Sequence, residues 1–480
     1  VFSESSPPFP TRAGSFMFGK KKKQAANESP EQIAPDVEFK GMGAATEQDN
    51  QTNAIKARQS PGIVPVSMLI GQAIERKASR ILLDYTAEGV ALRLDMDGFW
   101  HDLPAMDRQT GDVMLAVMKK LGDLDPSERQ ARQAGEFKAI FHRVSRLCQI
   151  TSQGVETGER VIIRMVDPKQ EQMSLEDLGM REAVAEQFKQ RVGRATGEEM
   201  PPPPKGIYIF SAPLNGGGLS SLWVAGLMAT DRYTGDFLGL EEKTRREPEV
   251  ENVDVFEFDE GEGETAASVI PKIMLRQPDV LAVPHIADTE SLDLLCQLAE
   301  DEGTVTITCT RAKSAAEALC KITAATQATN FVKFVNLVVN MRLVRRLCEG
   351  CKTPFPPNPQ ILNQLGLSAD RVQVLYQQWE PPPPSADGKG RDGPPPICPQ
   401  CAGIGYMGRI GMFELLVVDD NIRQALAEPP NQPGRISGYT LVGAIQDLAV
   451  EAGMRTIREE GIALIAQGIT SIPELQRALK

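Results

Sequence analysis

Two cysteine pairs and one glycine-rich turn are the residues of this chain whose types and spacing can do chemistry. Cys348-Glu349-Gly350-Cys351 and Cys398-Pro399-Gln400-Cys401 are two C-x-x-C units. Together they supply the four thiolates of a closed tetrahedral zinc site. Four protein ligands leave no open coordination position, so such a metal is structural. The 46 residues between the units exceed the usual spacing, and the proline- and glycine-rich stretch 380–397 accounts for much of the excess. Gly403, Gly405 and Gly408 permit tight backbone after the second unit, and Arg342, Arg345 and Arg346 are placed to offset thiolate charge. The plainer alternative is four ordinary buried cysteines. Cys148, Cys296, Cys309 and Cys320 lie in apolar surroundings and read as core residues.

The turn is SAPLNGGGLSS, residues 211–221. It follows the apolar run Ile207-Tyr208-Ile209-Phe210 and leads into the helix-like Leu222-Trp223-Val224-Ala225. Strand, glycine turn, helix is the context of a phosphate cradle. Gly216, Gly217 and Gly218 can present backbone N–H groups to an anion, and Ser220 is a nearby hydroxyl. There is no lysine in the turn. A loop with no ligand is the competing reading.

These patterns need elements to position them. Residues 1–60 are polar and read as a disordered tail, with four lysines at Lys20–Lys23 that suit a solvated segment or an anionic membrane surface. Residues 61–200 read as a first α/β domain and linker. A helix begins near Ser67, strands fall at Arg80–Tyr85 and Val90–Met96, and a further strand at Gly158–Met165 closes the domain. Pro201–Pro204 makes a stiff spacer. From Gly206 strands at 207–210, 237–240, 280–283 and 304–308 alternate with helices at 219–229, 265–276, 289–299 and 314–324. That alternation predicts a parallel sheet binding ligands at its strand C-termini. Residues 206–347 form this domain, 348–415 the cysteine region with a disordered insert at 380–397, and 416–480 a helical end.

The balance of charge is acidic, −12, which argues against a nucleic-acid partner. No apolar run reaches the ~18 residues of a membrane span. The N-terminal residues lack the apolar core of a signal peptide, so a cytoplasmic location is expected. Eight cysteines in so long a chain do not form a disulfide framework.

Met341–Cys351 and Cys398–Leu415 resemble the zinc segment of the type II secretion and type IV pilus assembly ATPases. Gly453–Gly461 and Gly468-Ile469-Thr470-Ser471 match that family's last helices, and Asp95–Gly98 and Gly158–Arg164 its second N-terminal domain. The resemblance covers about residues 62 to 480. The family's first N-terminal domain, which docks on a membrane partner, has no counterpart in it. The resemblance implies a PAS-like domain joined to a RecA-like (P-loop NTPase fold) domain, a hexameric ring of one or mixed subunits, and an inner-membrane platform protein as partner.

Carried over residue by residue, the nucleotide pocket is depleted. The phosphate-loop lysine position is Gly218 and the magnesium-binding hydroxyl position is Leu219. The usual Gly-Glu after the strand Val280–Val283 is Pro284-His285, the histidine motif falls near Arg311, and a nucleotide-reaching arginine maps to Gln149. Glu136 stands where an arginine is usual. Glu241-Glu242 or Glu247 keeps the acidic motif loosely, with Arg245 and Arg246 as candidate fingers. The groups that hold ATP and magnesium are therefore missing, while the fold motifs are kept. The expectation is a non-catalytic member of the family, acting with an active ATPase paralogue or on the platform. A divergent active motor using Ser220, Glu241 or His285 is the enzymatic alternative, and a binding module with a vestigial anion pocket the third.

Overall fold

The computed structural model describes residues 36–167, 173–192, 205–214, 217–286, 288–325, 331–379, 398, 400–401, 403–427 and 440–480. The linker prolines 201–204, the insert 380–397, Lys20–Lys23 and Gly216 lie outside them.

The first domain is a seven-stranded antiparallel sheet under three helices. In chain order it runs β1 (Glu38–Gly41), α1 (Glu47–Gln59), α2 (Ile63–Glu75), β2 (Arg80–Tyr85), β3 (Val90–Met96), β4 (Phe99–Met106), α3 (Arg108–Leu121), β5 (Gln133–Phe141), β6 (Val144–Val155) and β7 (Gly158–Val166). The strand order is β1-β5-β6-β7-β2-β3-β4. Strict alternation in β7 puts Val161, Ile163 and Met165 on the buried face. The tail expected over 1–60 is corrected here, because residues 38–59 are part of this domain. Phe39 packs in its core, and Asn53 of α1 donates to Asp123 at 2.9 Å. Sequence hydropathy hides α1 because its buried face is Asn53, Ala54 and Ala57.

α4 (Glu182–Arg191) leads to the second domain: β8 (Gly206–Ala212), α5 (Leu219–Met228), β9 (Phe237–Glu242), β10 (Asp254–Phe258), α6 (Ala266–Met274), β11 (Val280–Val283), α7 (Thr289–Asp301), β12 (Val305–Arg311), α8 (Ala315–Ala325), α9 (Phe331–Phe334) and β13 (Val335–Leu347). A small hairpin of β14 (Thr353–Phe355) and β15 (Leu375–Gln377) flanks α10 (Pro359–Leu365), and β16 (Tyr406–Val417) returns to the main sheet. The chain closes with α11 (Asp420–Ala427), α12 (Leu441–Glu451), α13 (Ile457–Ala466) and α14 (Ile472–Leu479).

The main sheet has the order β10-β9-β11-β12-β8-β13-β16, parallel except for β16, which pairs antiparallel with β13. Strands β8, β9 and β11 are buried at every position, as strands covered on both faces must be. The four expected parallel strands and four helices are all present, with no end moved by more than three residues and β11 unmoved at both ends. Three strands of this sheet went unread: β10, β13 and β16. β10 is a short edge strand with the polar sequence DVFEF. β16 was assigned to the cysteine region, but residues 406–417 carry the sheet's antiparallel edge.

Candidate functional site

The phosphate-loop candidate sits where the alternation placed it, between β8 and α5. Gly218 is the α5 N-cap with φ +76°, a left-handed conformation that glycine takes without strain. Its surroundings are apolar. A Cβ on Gly218 would lie 2.6 Å from Met341 Cε and 2.9 Å from Leu343 Cδ1. Met341 is fully buried and Leu219 is 4% exposed, so Leu219 turns into the core with Leu222 and Trp223. A cationic side chain at position 218 would have to displace β13 side chains. Gly217 and Ser220 line the same cleft as Gly218.

Beside the loop lies a polar network that sequence spacing placed only loosely. Glu247 accepts hydrogen bonds from Ser220 and from His285, whose Nε2 is 3.3 Å from Glu247 Oε1. Burial opposes the Glu247 carboxylate, but these two hydrogen bonds outweigh it and hold its pKa below the usual range. Glu241 accepts the Glu247 backbone N–H at 2.9 Å, and its own burial raises its pKa. Glu242 is spent on the backbone and hydroxyl of Thr244, at 2.8 and 2.6 Å. Arg246 pairs with Glu257 at 3.0 Å and Arg245 approaches Glu260 at 3.8 Å, so neither candidate finger lines the cleft. Gln149 stands between Glu136 and Arg164 in the first sheet's register and also stays outside it.

The cleft, of about 1240 Å³, opens between the two domains. Asp97 in the β3–β4 turn accepts the Gly408 N–H at 2.8 Å. Phe99 of β4 meets the guanidinium of Arg345 at 4.0 Å and that of Arg477 at 4.9 Å. Arg345 lies equally close, 4.0 Å, to the Tyr406 ring, and both arginines are held by the buried carboxylate of Glu474. Arg342 and Arg345 thus do not serve the thiolates, correcting the expectation. Arg342 donates to the Ala478 carbonyl at 2.5 Å and the Lys313 carbonyl at 3.3 Å.

The four cysteines of the two C-x-x-C units do come together. Their sulfurs all lie within 4.8 Å of one another, with Cys348–Cys398 at 3.9 Å and Cys351–Cys401 at 3.5 Å. Four thiolates at about 2.3 Å from a tetrahedral metal stand about 3.8 Å apart, so this donor set fits a metal ion. The backbone assists. Gly405, at φ +79°, turns its N–H onto Cys401 Sγ at 3.2 Å, and the Cys401 N–H pulls the Cys398 thiol down to about 7. Cys148 and Cys296 are core thiols raised to about 12 by burial.

The family described as "Type II/IV secretion system protein" matches residues 56–477. This chain belongs to that family. Over 418 residues it is 26% identical to the "Type IV pilus assembly ATPase PilB" of Thermus thermophilus, covering 85% of this chain and 42% of that protein, less than half its length. Over 422 residues it is 24% identical to the "Type II secretion system ATPase E" of Vibrio cholerae, covering 88% and 76%. In three dimensions it is similar to the Legionella pneumophila ATPase DotB, with a TM-score of 0.54 at 13% identity over 86% of this chain and 95% of that one. The fold of this family member is therefore the α/β fold of the secretion ATPases. Among its described residues no helix is long and apolar enough to cross a membrane.

Among the cleft residues that sequence reasoning missed are Phe99, Arg477, Lys313 and Lys321. Lys313 had only position as its signal, two residues beyond the C-terminal end of β12, whereas Lys321 lies on α8 and is brought back by its bond to the Arg311 carbonyl.

Proposed function

We propose that this family member is a non-catalytic subunit of a type II secretion or type IV pilus assembly system. It works in a hexameric ring, homomeric or shared with an active ATPase paralogue, at an inner-membrane platform protein on the cytoplasmic side. Its first domain takes the role of the PAS-like domain, the second that of the RecA-like motor domain, and Cys348, Cys351, Cys398 and Cys401 hold a structural zinc.

The observation that carries this reading is the apolar packing at Gly218 and Leu219. Phosphoryl transfer needs a cation on the β/γ-phosphates and a hydroxyl on magnesium. Here the first position is a left-handed glycine pressed against Met341 and Leu343, and the second is a buried leucine. The acidic side chains that remain are engaged with their own backbone or with Ser220 and His285. The test is steady-state hydrolysis of Mg-ATP by the purified full chain, alone and mixed with active relatives. Turnover that rises with protein concentration and is abolished by Gly218→Asp would refute the proposal.

One observation favours the divergent-motor alternative. Ser220, Glu247 and His285 form a hydrogen-bonded set next to the loop, which is what a rebuilt water-activating group would look like. That reading requires turnover that is lost in His285→Ala.

A further inference from the structure

The four-cysteine cluster sits where the two domains meet. Cys348 follows Leu347, the last residue of β13, and Tyr406, shortly after Cys401, is the first of β16. The two strands pair antiparallel with Leu347 opposite Tyr406, so both C-x-x-C units cap the same end of one strand pair. The turn that joins the second unit to β16 is also the turn that touches the first domain. Ile404 packs against the hydrophobic core of that domain. Gly408 donates its N–H to Asp97 of the β3–β4 turn at 2.8 Å, and Arg409 Nε lies 4.0 Å from the same carboxylate.

The bonds that shape this turn end on the cysteines. Ile404 donates its N–H to the Cys401 carbonyl at 3.1 Å, Gly405 to Cys401 Sγ at 3.2 Å, and Cys348 to the Gly405 carbonyl at 2.9 Å. Gly403, Gly405 and Gly408 have φ of +85°, +79° and +80°. Glycine gives up more conformational freedom on ordering than any other residue, so a turn built on three of them needs a fixed point. The cysteine cluster is that point. Cys348 and Cys398 stand 50 positions apart, and a metal clip across so long a loop removes much of its freedom. The rest of the joint is anchored elsewhere, since Arg345 and Arg477 meet Phe99 from the carboxylate of Glu474 on α14.

We propose that the four cysteines, when they hold a metal, clasp the two domains together. They fix the Gly403–Gly408 turn where Ile404 and Gly408 engage the first domain, and losing the metal frees the β3–β4 turn from the second. The inference rests on the zinc reading above and goes beyond it: the site couples two domains as well as ordering its own loop. Metal loss loosens the joint without dissolving it, because the Glu474 half does not pass through the turn. Linkage makes the coupling reciprocal. If the metal strengthens the joint by some factor, an intact joint strengthens metal binding by the same factor. Breaking the joint at Asp97, which lies in the other domain and ligates nothing, must therefore weaken the hold on the metal.

The experiment is competition for zinc between the full chain and a chromophoric chelator, with wild type, Asp97→Gly and Asp102→Ala. Glycine removes the acceptor but takes the φ of +53° that Asp97 adopts, so the turn keeps its shape. Asp102 lies on the same hairpin, exposed and paired with Arg93, and serves as the control. Zinc should be held at least about threefold more weakly by Asp97→Gly and as tightly as wild type by Asp102→Ala. Hydrogen exchange in the β3–β4 hairpin, read by mass spectrometry, should rise severalfold when zinc is stripped and fall again when it is restored. Wild-type zinc affinity in Asp97→Gly, an equal loss in Asp102→Ala, or hairpin exchange that ignores zinc would overturn the inference and leave the zinc site standing. A full chain that takes up no zinc would refute the zinc reading, and the clasp with it.

Discussion

Replacing Glu474 with glutamine should weaken the joint between the two domains. Its carboxylate accepts from the Arg345 backbone N–H at 2.9 Å, from Arg345 Nε and Nη2 at 3.0 and 2.7 Å, and from Arg477 Nε and Nη2 at 2.9 and 2.6 Å. The Glu474 side chain is fully buried and Arg345 is 14% exposed, so that pair is desolvated, whereas Arg477 is 43% exposed and contributes little. Removing one partner of a buried pair costs about 3–5 kcal/mol, because the remaining charge stays unpaired. Glutamine keeps one acceptor and sets an NH2 against guanidinium donors, so we take about 3 kcal/mol, the lower end of that range. In a domain of this size that is roughly a 6–12 °C fall in the midpoint of its transition. The pH dependence carries the same signature. Burial opposes the Glu474 carboxylate, but the bonds from Arg477 and Arg345 prevail and hold its pKa below the usual range. Its contribution is therefore complete above the unfolded-chain value of about 4.3 and is lost as pH falls through the lower folded value. The assay is thermal unfolding of wild type and Glu474→Gln between pH 3 and 7. A shift under about 2 °C at pH 7, or an identical acid limb in both proteins, would refute the reasoning.

Other perturbations test other links. Gly218→Lys with Leu219→Ser should not restore ATP hydrolysis, and should cost about 1–2 kcal/mol from the left-handed backbone alone, read by thermal shift; a gain of turnover would count against the packing argument. Chelation of the full chain should release one zinc, seen with a colorimetric indicator, and lower its thermal midpoint, while Cys398→Ser should carry less metal; a metal-free native protein would remove the zinc proposal. Lys119 and Glu159 form a buried pair at 2.5 Å in the first domain. Lys119→Met alone should cost about 3–5 kcal/mol, and adding Glu159→Leu should recover most of it; additive losses in urea unfolding would show that the pair is not coupled. Phe99→Ala removes the ring that meets Arg345 and Arg477, and should lower the proteolytic resistance of the interdomain joint without unfolding either domain.

Much of the architecture was legible in local sequence because local rules set it. The strand-and-helix alternation after Gly206 carries continuous apolar strands and amphipathic helices, and both are properties of neighbouring residues. The two C-x-x-C units announced their meeting because few other arrangements use four thiolates at that spacing. The glycine turn announced its place but not its state. That Gly218 lies against Met341 and Leu343 depends on β13, more than a hundred residues away. Residues 38–59 were misread because α1 buries only Asn53, Ala54 and Ala57, and a weakly apolar face has no periodic signal.

What the sequence determined by itself was identity of residue at each chemical position: no lysine at 218, no hydroxyl at 219, cysteines at 348, 351, 398 and 401. What only the tertiary structure decided was which charges are neutralised. Arg345 and Arg477 meet Glu474, while Lys321 and Arg342 reach the backbone carbonyls of Arg311 and Lys313 and, among the described residues, make no ion pair. The reason is physical: a charge is read from one residue, but its compensation depends on what lies within about 4 Å of it, and in this protein those neighbours come from strands and helices far apart in the chain.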